Sequence, residues 1–284
     1  MMGRLHGWWL CGVGQTLTLT LTLTLTLMLT LMQACNKDPG SKQDALLENS
    51  RILNGGFEEW EGSGKEIEPV HWNSFMSASG SGMAYTAGRG QQVDVSDLTR
   101  PGSSGTHSAC VYTRSILGII ANGNLTTGQI HIGSVSATSA NNYNITRSNH
   151  ADFHQVITSR PDSICFWARF RCQNANQLAR MTAVLHDSCD YRDPETASDA
   201  AHVVAKASVE FTTGKGEWCR YAIPFSYAYP SSSPKYLLVT FTTNKEAGKG
   251  SLSDTLWLDD VELVYHPEKT KAVSAIFTHK PKKR

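Results

Sequence analysis

The sequence predicts an all-β protein, an antiparallel β-sandwich of jelly-roll type. Its clearly periodic segments alternate with period two, each is short, and Gly-, Ser- and Pro-rich stretches separate them. In chain order, however, the first periodic segment does not belong to the sandwich. Thr16 to Met32 alternates Leu with Thr or Met, which taken literally is a strand, but it runs far beyond the usual strand length of about 3–10 residues. It carries no charge, follows a short region whose only fixed charge besides the terminus is Arg4, and ends in Leu31-Met32-Gln33-Ala34-Cys35. That is the anatomy of a secretory signal. Wound as a helix, a period-two pattern spreads leucine over every face, and threonine hydroxyls can bond back to carbonyls one turn earlier.

The ending resembles a bacterial lipobox, with Met32 where Leu is commonest and Gln33 unusual for its position. This implies cleavage before Cys35 and acylation of that residue. Residues 1–34 are therefore read as a lipoprotein signal peptide and residues 35–50 as the acylated cysteine and a flexible tether broken by Pro39 and Gly40. Residues 51–267 form one domain, within the roughly 200–250 residues that one all-β sandwich can reach. Residues 268–284 form a basic, disordered tail. The expected place of the mature protein is the cell envelope, the outer membrane in particular, with the membrane touched only through the lipid.

Within the domain, SICFWARFR (163–171) can turn Ile164, Phe166, Ala168 and Phe170 to a core while Trp167, Arg169 and Arg171 face out. NANQLARMTAVL (174–185) is the best helix candidate, although its second half reads equally well as strand. VVAKASVEF (203–211) offers Val203, Ala205, Ala207, Val209 and Phe211 inward, and WCRYAIPF (218–225) offers Cys219, Tyr221, Ile223 and Phe225. KYLLVTFTT (235–243) offers Leu237, Val239 and Phe241. Turn-forming words join them, among them SASGSG (77–82), RPGSSG (100–105), TGKGE (213–217) and YPSSSP (229–234).

Of the 284 residues 26 are basic and 25 acidic, a net charge of +1, so no field points to nucleic acid as a partner. Cys11 falls in the signal and Cys35 takes the lipid. Cys110, Cys165, Cys172, Cys189 and Cys219 match no zinc or disulfide framework and are read chiefly as small buried hydrophobes, with room for one bridge. No G-x-S-x-G elbow, P-loop or dinucleotide fingerprint is present.

Two words at the ends of the domain carry a resemblance. Asn54-Gly55-Gly56-Phe57-Glu58-Glu59-Trp60, followed by Pro69-Val70-His71-Trp72, opens the domain, and Leu256-Trp257-Leu258-Asp259-Asp260-Val261 closes it. The pair resembles jelly-roll carbohydrate-binding modules of the galactose-binding-like class. With Arg160 to Trp167, Gly216 to Phe225 and the N-G-x-x-T-T-G word at Asn122 to Gly128, the chain looks more particularly like the PCMD (carbohydrate metabolism domain) family of Gram-negative surface lipoproteins. The likeness spans about Asn54 to Tyr265. It implies an opening and a closing strand lying near each other and a structural calcium ligated by Glu58 and Asp259, with Asp260 a substitute if the strand bulges. The alternative is that these carboxylates bond backbone amides. Simple alternation also puts Asp259 on one face with Trp257, Val261, Leu263 and Tyr265, a side otherwise apolar, where a carboxylate needs a cation or donors.

Sugar recognition needs flat aromatic faces beside planar polar groups. The candidates are Trp72, the outward pairs Trp167/Arg169 and Trp218/Arg220, and the loop tyrosines Tyr191, Tyr227 and Tyr229. The cluster His150-Ala151-Asp152-Phe153-His154 could hold a metal or exchange protons, and His186-Asp187 with the acidic run Asp190, Asp193 and Glu195 could serve as glycosidase carboxylates, but both lie in loop-like sequence. The leading expectation is a non-catalytic protein that binds oligo- or polysaccharide. The alternatives are a glycoside hydrolase or lyase of the same fold class, and a structural or adhesive surface protein that binds another protein.

Overall fold

The computed structural model describes residues 49–229 and 231–265. The expected signal peptide, Cys35, most of the tether and the basic tail lie outside the described residues. The sandwich consists of two facing sheets. The first runs β16 (Cys219–Pro224), β12 (Ser163–Arg171), β19 (Thr255–Val264), β5 (Ser108–Tyr112) and β4 (Val93–Ser96), antiparallel throughout. The second runs β11 (Gln155–Val156), β18 (Tyr236–Thr242), β13 (Ala179–His186), β15 (Val203–Phe211) and β17 (Ser226–Tyr227), also antiparallel, with β8 (Asn124–Thr126) pairing the far end of β18. Between them lies one core. Ile164, Phe166, Ala168 and Phe170 of β12 face Met181, Ala183 and Leu185 of β13 and Leu237, Val239 and Phe241 of β18. Phe166 sits 5.5 Å from Phe211, 5.1 Å from Phe241 and 5.2 Å from Tyr221, ring to ring.

A smaller sheet covers part of the outer face of the second. It runs β14 (Tyr191–Asp193), β10 (Tyr143–Thr146), β9 (Gln129–Ile132) and β3 (Ser79–Gly80), the last pair parallel. Tyr191 there closes over Val184 and Leu238, and His186 Nε2 lies 2.9 Å from Thr146 Oγ1. This third layer explains why every residue of β18 is buried, on both faces. Two hairpins, β1 (Trp60–Ser63) with β2 (Glu66–Pro69) and β6 (Arg114–Ile116) with β7 (Ile119–Ala121), complete the strands. Among the described residues, helix is confined to α1 (Gly82–Gly88), α2 (Ala197–Ala200) and a 3-10 turn at Ala151–Phe153. No helix among the described residues is long and apolar enough to cross a membrane.

The period-two segments of the domain are strands, with their expected inward sets, Cys219 and Val203 aside, in or against the core. Three local expectations give way. The helix candidate at 174–185 is β13 in its second half, because Met181, Ala183 and Leu185 are wanted on one face between two flanking strands. In β15 the register shifts opposite Leu185 and His186, so Val204 enters the main core and Val203 packs instead beneath the third sheet. The opening word Asn54–Phe57 is a turn rather than a strand, with Asn54 and Phe57 at φ 46° and 55°. It nonetheless docks on the closing strand: Val261 N donates to Gly55 O over 2.8 Å. A side chain at Gly55 would begin 2.0 Å from Val261 O, so only glycine allows the approach.

The closing strand bulges at that contact. Cys165 pairs Glu262 but Trp167 pairs Asp259, one extra residue on β19, with Asp260 at φ 46°. Trp257 and Asp259 therefore point outward while Val261 turns into the core, and the single shared face expected from simple alternation does not exist.

Candidate functional site

Where the third sheet stops short, the outer face of the second sheet forms the floor of a cleft of about 500 Å³. Its apolar walls come from the β6–β7 hairpin (Ile116, Leu117, Ile119 and Ile120) and from Ile130 and Ile132 of β9. Its floor is polar: Arg180 of β13, Asn124 of β8, Asn144 of β10, Asp193 of β14, and Asn122 just before β8. Alternation places them. Arg180 precedes Met181 of the core and so must face away from it, and Asn124 precedes the fully buried Leu125. Gly128, at the end of the same N-G-x-x-T-T-G word, lets the chain turn past Ile145 O, which a Cβ would meet at 2.5 Å.

The hydrogen bonding of this floor is incomplete. Asn124 Nδ2 donates to Asn144 Oδ1 over 3.0 Å, but Asn124 Oδ1 is buried without a partner among the described residues. Asn122 Nδ2 donates to the carbonyls of Asn244 and Glu246, and its Oδ1 is likewise buried and unpartnered. The Arg180 guanidinium has no hydrogen bond or ion pair among the described residues, although its backbone is paired in the sheet. By contrast Lys245 at the rim is neutralised by Glu210 at 3.1 Å, and Asp193 accepts from Thr182 Oγ1 at 2.8 Å. Asp193 is the only carboxylate among the described lining residues. On one wall His131 stacks on Tyr143 at 4.7 Å, and Arg192 lies 4.9 Å from the same ring. Burial, helped by the charge of Arg147, holds His131 below its ordinary value, so its imidazole is neutral at neutral pH.

None of the eight aromatic and arginine candidates lines this cleft. Trp72 is 1% exposed, packed on Phe57 and Phe241 with its indole N–H donating to Leu53 O; it is a core residue and no sugar platform. Tyr191 is 2% exposed, stacked on His186, its hydroxyl donating to Glu195. Tyr227 donates to Pro161 O and is covered by Arg160, whose guanidinium carbon is 3.9 Å from the ring centre. Trp167 and Arg169 do face out on β12, but Arg100 lies over Trp167 at 5.3 Å and Arg169 over Trp257 at 5.4 Å. Arg220 pairs with Glu262 at 3.0 Å, Trp218 is half-buried, and Tyr229 is exposed. The His150–His154 cluster does not converge: His150 stacks on Phe153, while His154 packs on Tyr236 and bonds Arg147 O.

The two end words do meet, at a corner that Arg100 fills. Its guanidinium pairs with Asp260, and its backbone N donates to Asp259 Oδ2 at 3.2 Å. Asp259 Oδ1 is buried and unpartnered, and burial raises this carboxyl above its ordinary value. Glu58 spends both oxygens on the Thr106 and His107 amides and the Thr106 hydroxyl. Burial works against its charge, but those donors outweigh it and hold the carboxyl below its ordinary value. A calcium ion asks for six to eight oxygens. Here a guanidinium supplies the positive charge and a loop takes up Glu58, so the residues as placed do not fit a calcium cage.

The chain matches no family model and no curated protein. Its fold is similar to that of a protein from Bacteroides thetaiotaomicron described as a "putative glycoside hydrolase", with TM-score 0.55 and 16% identity over 74% of this chain and 70% of that one. A protein of the same description from Bacteroides vulgatus gives TM-score 0.49 and 15% identity over 76% and 97%. TmCBM61, solved in complex with β-1,4-galactotriose, gives 0.34 and 12% over 76% and 97%. At such identities the likeness is one of fold.

Proposed function

We propose that this chain binds an oligo- or polysaccharide in the cleft without transforming it, as an exported, lipid-anchored protein of the cell envelope. The observation that carries the reading is the polar floor: Arg180, whose guanidinium has no partner among the described residues, lines with Asn122, Asn124 and Asn144 a concave site walled by aliphatic side chains. Sugar hydroxyls supply acceptors and donors for such groups, while pyranose C–H groups lie against the isoleucines. Fold likeness alone transfers no function. The envelope location rests on the lipobox-like ending at Cys35.

Hydrolysis by the usual route needs two carboxylates flanking the bond. Among the described residues the cleft offers Asp193 alone, and that group is engaged by Thr182. Binding without turnover is the reading these groups support.

A glycan array probed with the full chain tests this. Loss of a hydrogen bond to a charged group is worth about 1.5–3 kcal/mol, so Arg180→Ala should weaken any glycan hit by roughly 10- to 100-fold. The Trp167→Ala, Trp218→Ala double variant should bind as wild type. Binding that survives Arg180→Ala and Asn124→Ala but vanishes in the tryptophan variant moves the site to the first sheet, and release of reducing sugar replaces binding with hydrolysis.

A further inference from the structure

On the side of β13 where the chain turns toward β14, three metal-ligating side chains of different chemistry come together. Asp187 follows β13 directly, Cys189 lies in the turn, and His202 immediately precedes β15. Their ligand atoms all lie within 4.8 Å of one another, the only such trio of His, Cys and acidic groups among the described residues. The backbone holds them there: Asp187 N donates to His202 O at 3.0 Å, extending the β13–β15 ladder by one pair. Cys189 N donates to Asp187 Oδ1 at 2.9 Å, which curls the turn back over the carboxylate. His202 Nδ1 and Asp187 Oδ2 are 2.8 Å apart.

We propose that Asp187, Cys189 and His202 form a binding site for a zinc-class divalent cation, with three protein ligands and an open fourth position for water. The donor set, one thiolate, one imidazole and one carboxylate, is the chemistry that zinc takes and that calcium and magnesium do not. Zinc bonds of about 2.0–2.3 Å place tetrahedral ligand atoms roughly 3.3–3.8 Å apart. The trio thus needs only small side-chain shifts: Asp187 and His202 part by some tenths of an ångström and the Cys189 sulfur moves in. On binding, the Cys189 proton leaves to solvent and the imidazole stays neutral with its hydrogen on Nε2. Among the five described cysteines, Cys189 is the one exposed thiol. A bound ion would clip the β13–β14 turn to the start of β15, a link that sequence distance hides.

The probe is Co²⁺, then Zn²⁺, titrated into the full chain freed of metal and kept reduced. One equivalent should bind, with a sulfur-to-cobalt charge-transfer band displaced by Zn²⁺, and Zn²⁺ should raise Tm. Cys189→Ser should abolish the band, and His202→Gln should weaken binding by at least about tenfold. Both side chains reach solvent, so the metal-free variants should keep the wild-type circular dichroism. A His150→Gln, His154→Gln variant should keep the band. A band that persists in Cys189→Ser, or no stoichiometric binding, overturns the site.

Discussion

A single side chain shows how far residue type underdetermines role. Trp72 sits beside a word shared with carbohydrate-binding modules, yet it is wedged between Phe57 and Phe241 and serves packing. His186, read from the sequence as a partner of acidic loop groups, is wholly buried, with Tyr191 stacked at 5.2 Å and Thr146 on Nε2. Burial pushes it from its ordinary 6.5 down to about 4, against the pull of Asp187. The unfolded chain then binds a proton that the native state refuses, so the contribution of His186 is complete above pH 6.5 and is lost as pH falls toward 4. At 1.36 kcal/mol per unit this amounts to about 3 kcal/mol. Urea midpoints at pH 7, 5 and 4 should fall more steeply in wild type than in His186→Gln, and equal slopes would remove His186 as the cause.

At the scale of elements, β19 carries the decisive irregularity. Its bulge at Asp260 frees Val261 N for Gly55 and turns Asp259 out toward Arg100. Gly55→Ala pushes a methyl into Val261 O, and such overpacking costs typically about 1–3 kcal/mol. The variant should melt several degrees below wild type, and an unchanged Tm would mean that the turn can move off the strand. Because Arg100 supplies the positive charge here, adding EGTA should leave Tm where it is; a clear drop would restore calcium to Glu58 and Asp259. Period-two segments such as SICFWARFR were legible because one buried face suffices to write the pattern. The segment 179–186 was ambiguous because Met181, Ala183, Val184 and Leu185 are apolar on both faces, which happens when a strand is covered from two sides.

For the whole molecule, the anchoring prediction belongs to Cys35. Expressed in a Gram-negative host, wild type should partition into the detergent phase, while Cys35→Ala should stay out of it as unacylated protein. Detergent partitioning that survives the substitution would make the Thr/Leu segment itself the anchor. The all-β class and the inward face of most strands are written in the residues alone, because side-chain alternation is local and one buried face is enough to imprint it. The sequence also marked two cleft residues without assigning them, since Asn122 and Asn124 stand inside the N-G-x-x-T-T-G word. Where the concave surface lies and which outward aromatic groups remain free follow from the packing of segments distant in the chain. That outcome depends on whether a distant segment covers them: the third sheet over His186, Arg100 over Trp167, Arg160 over Tyr227. An outward face is written in the local pattern, but its contact with solvent is set by residues far along the chain, and no period records that.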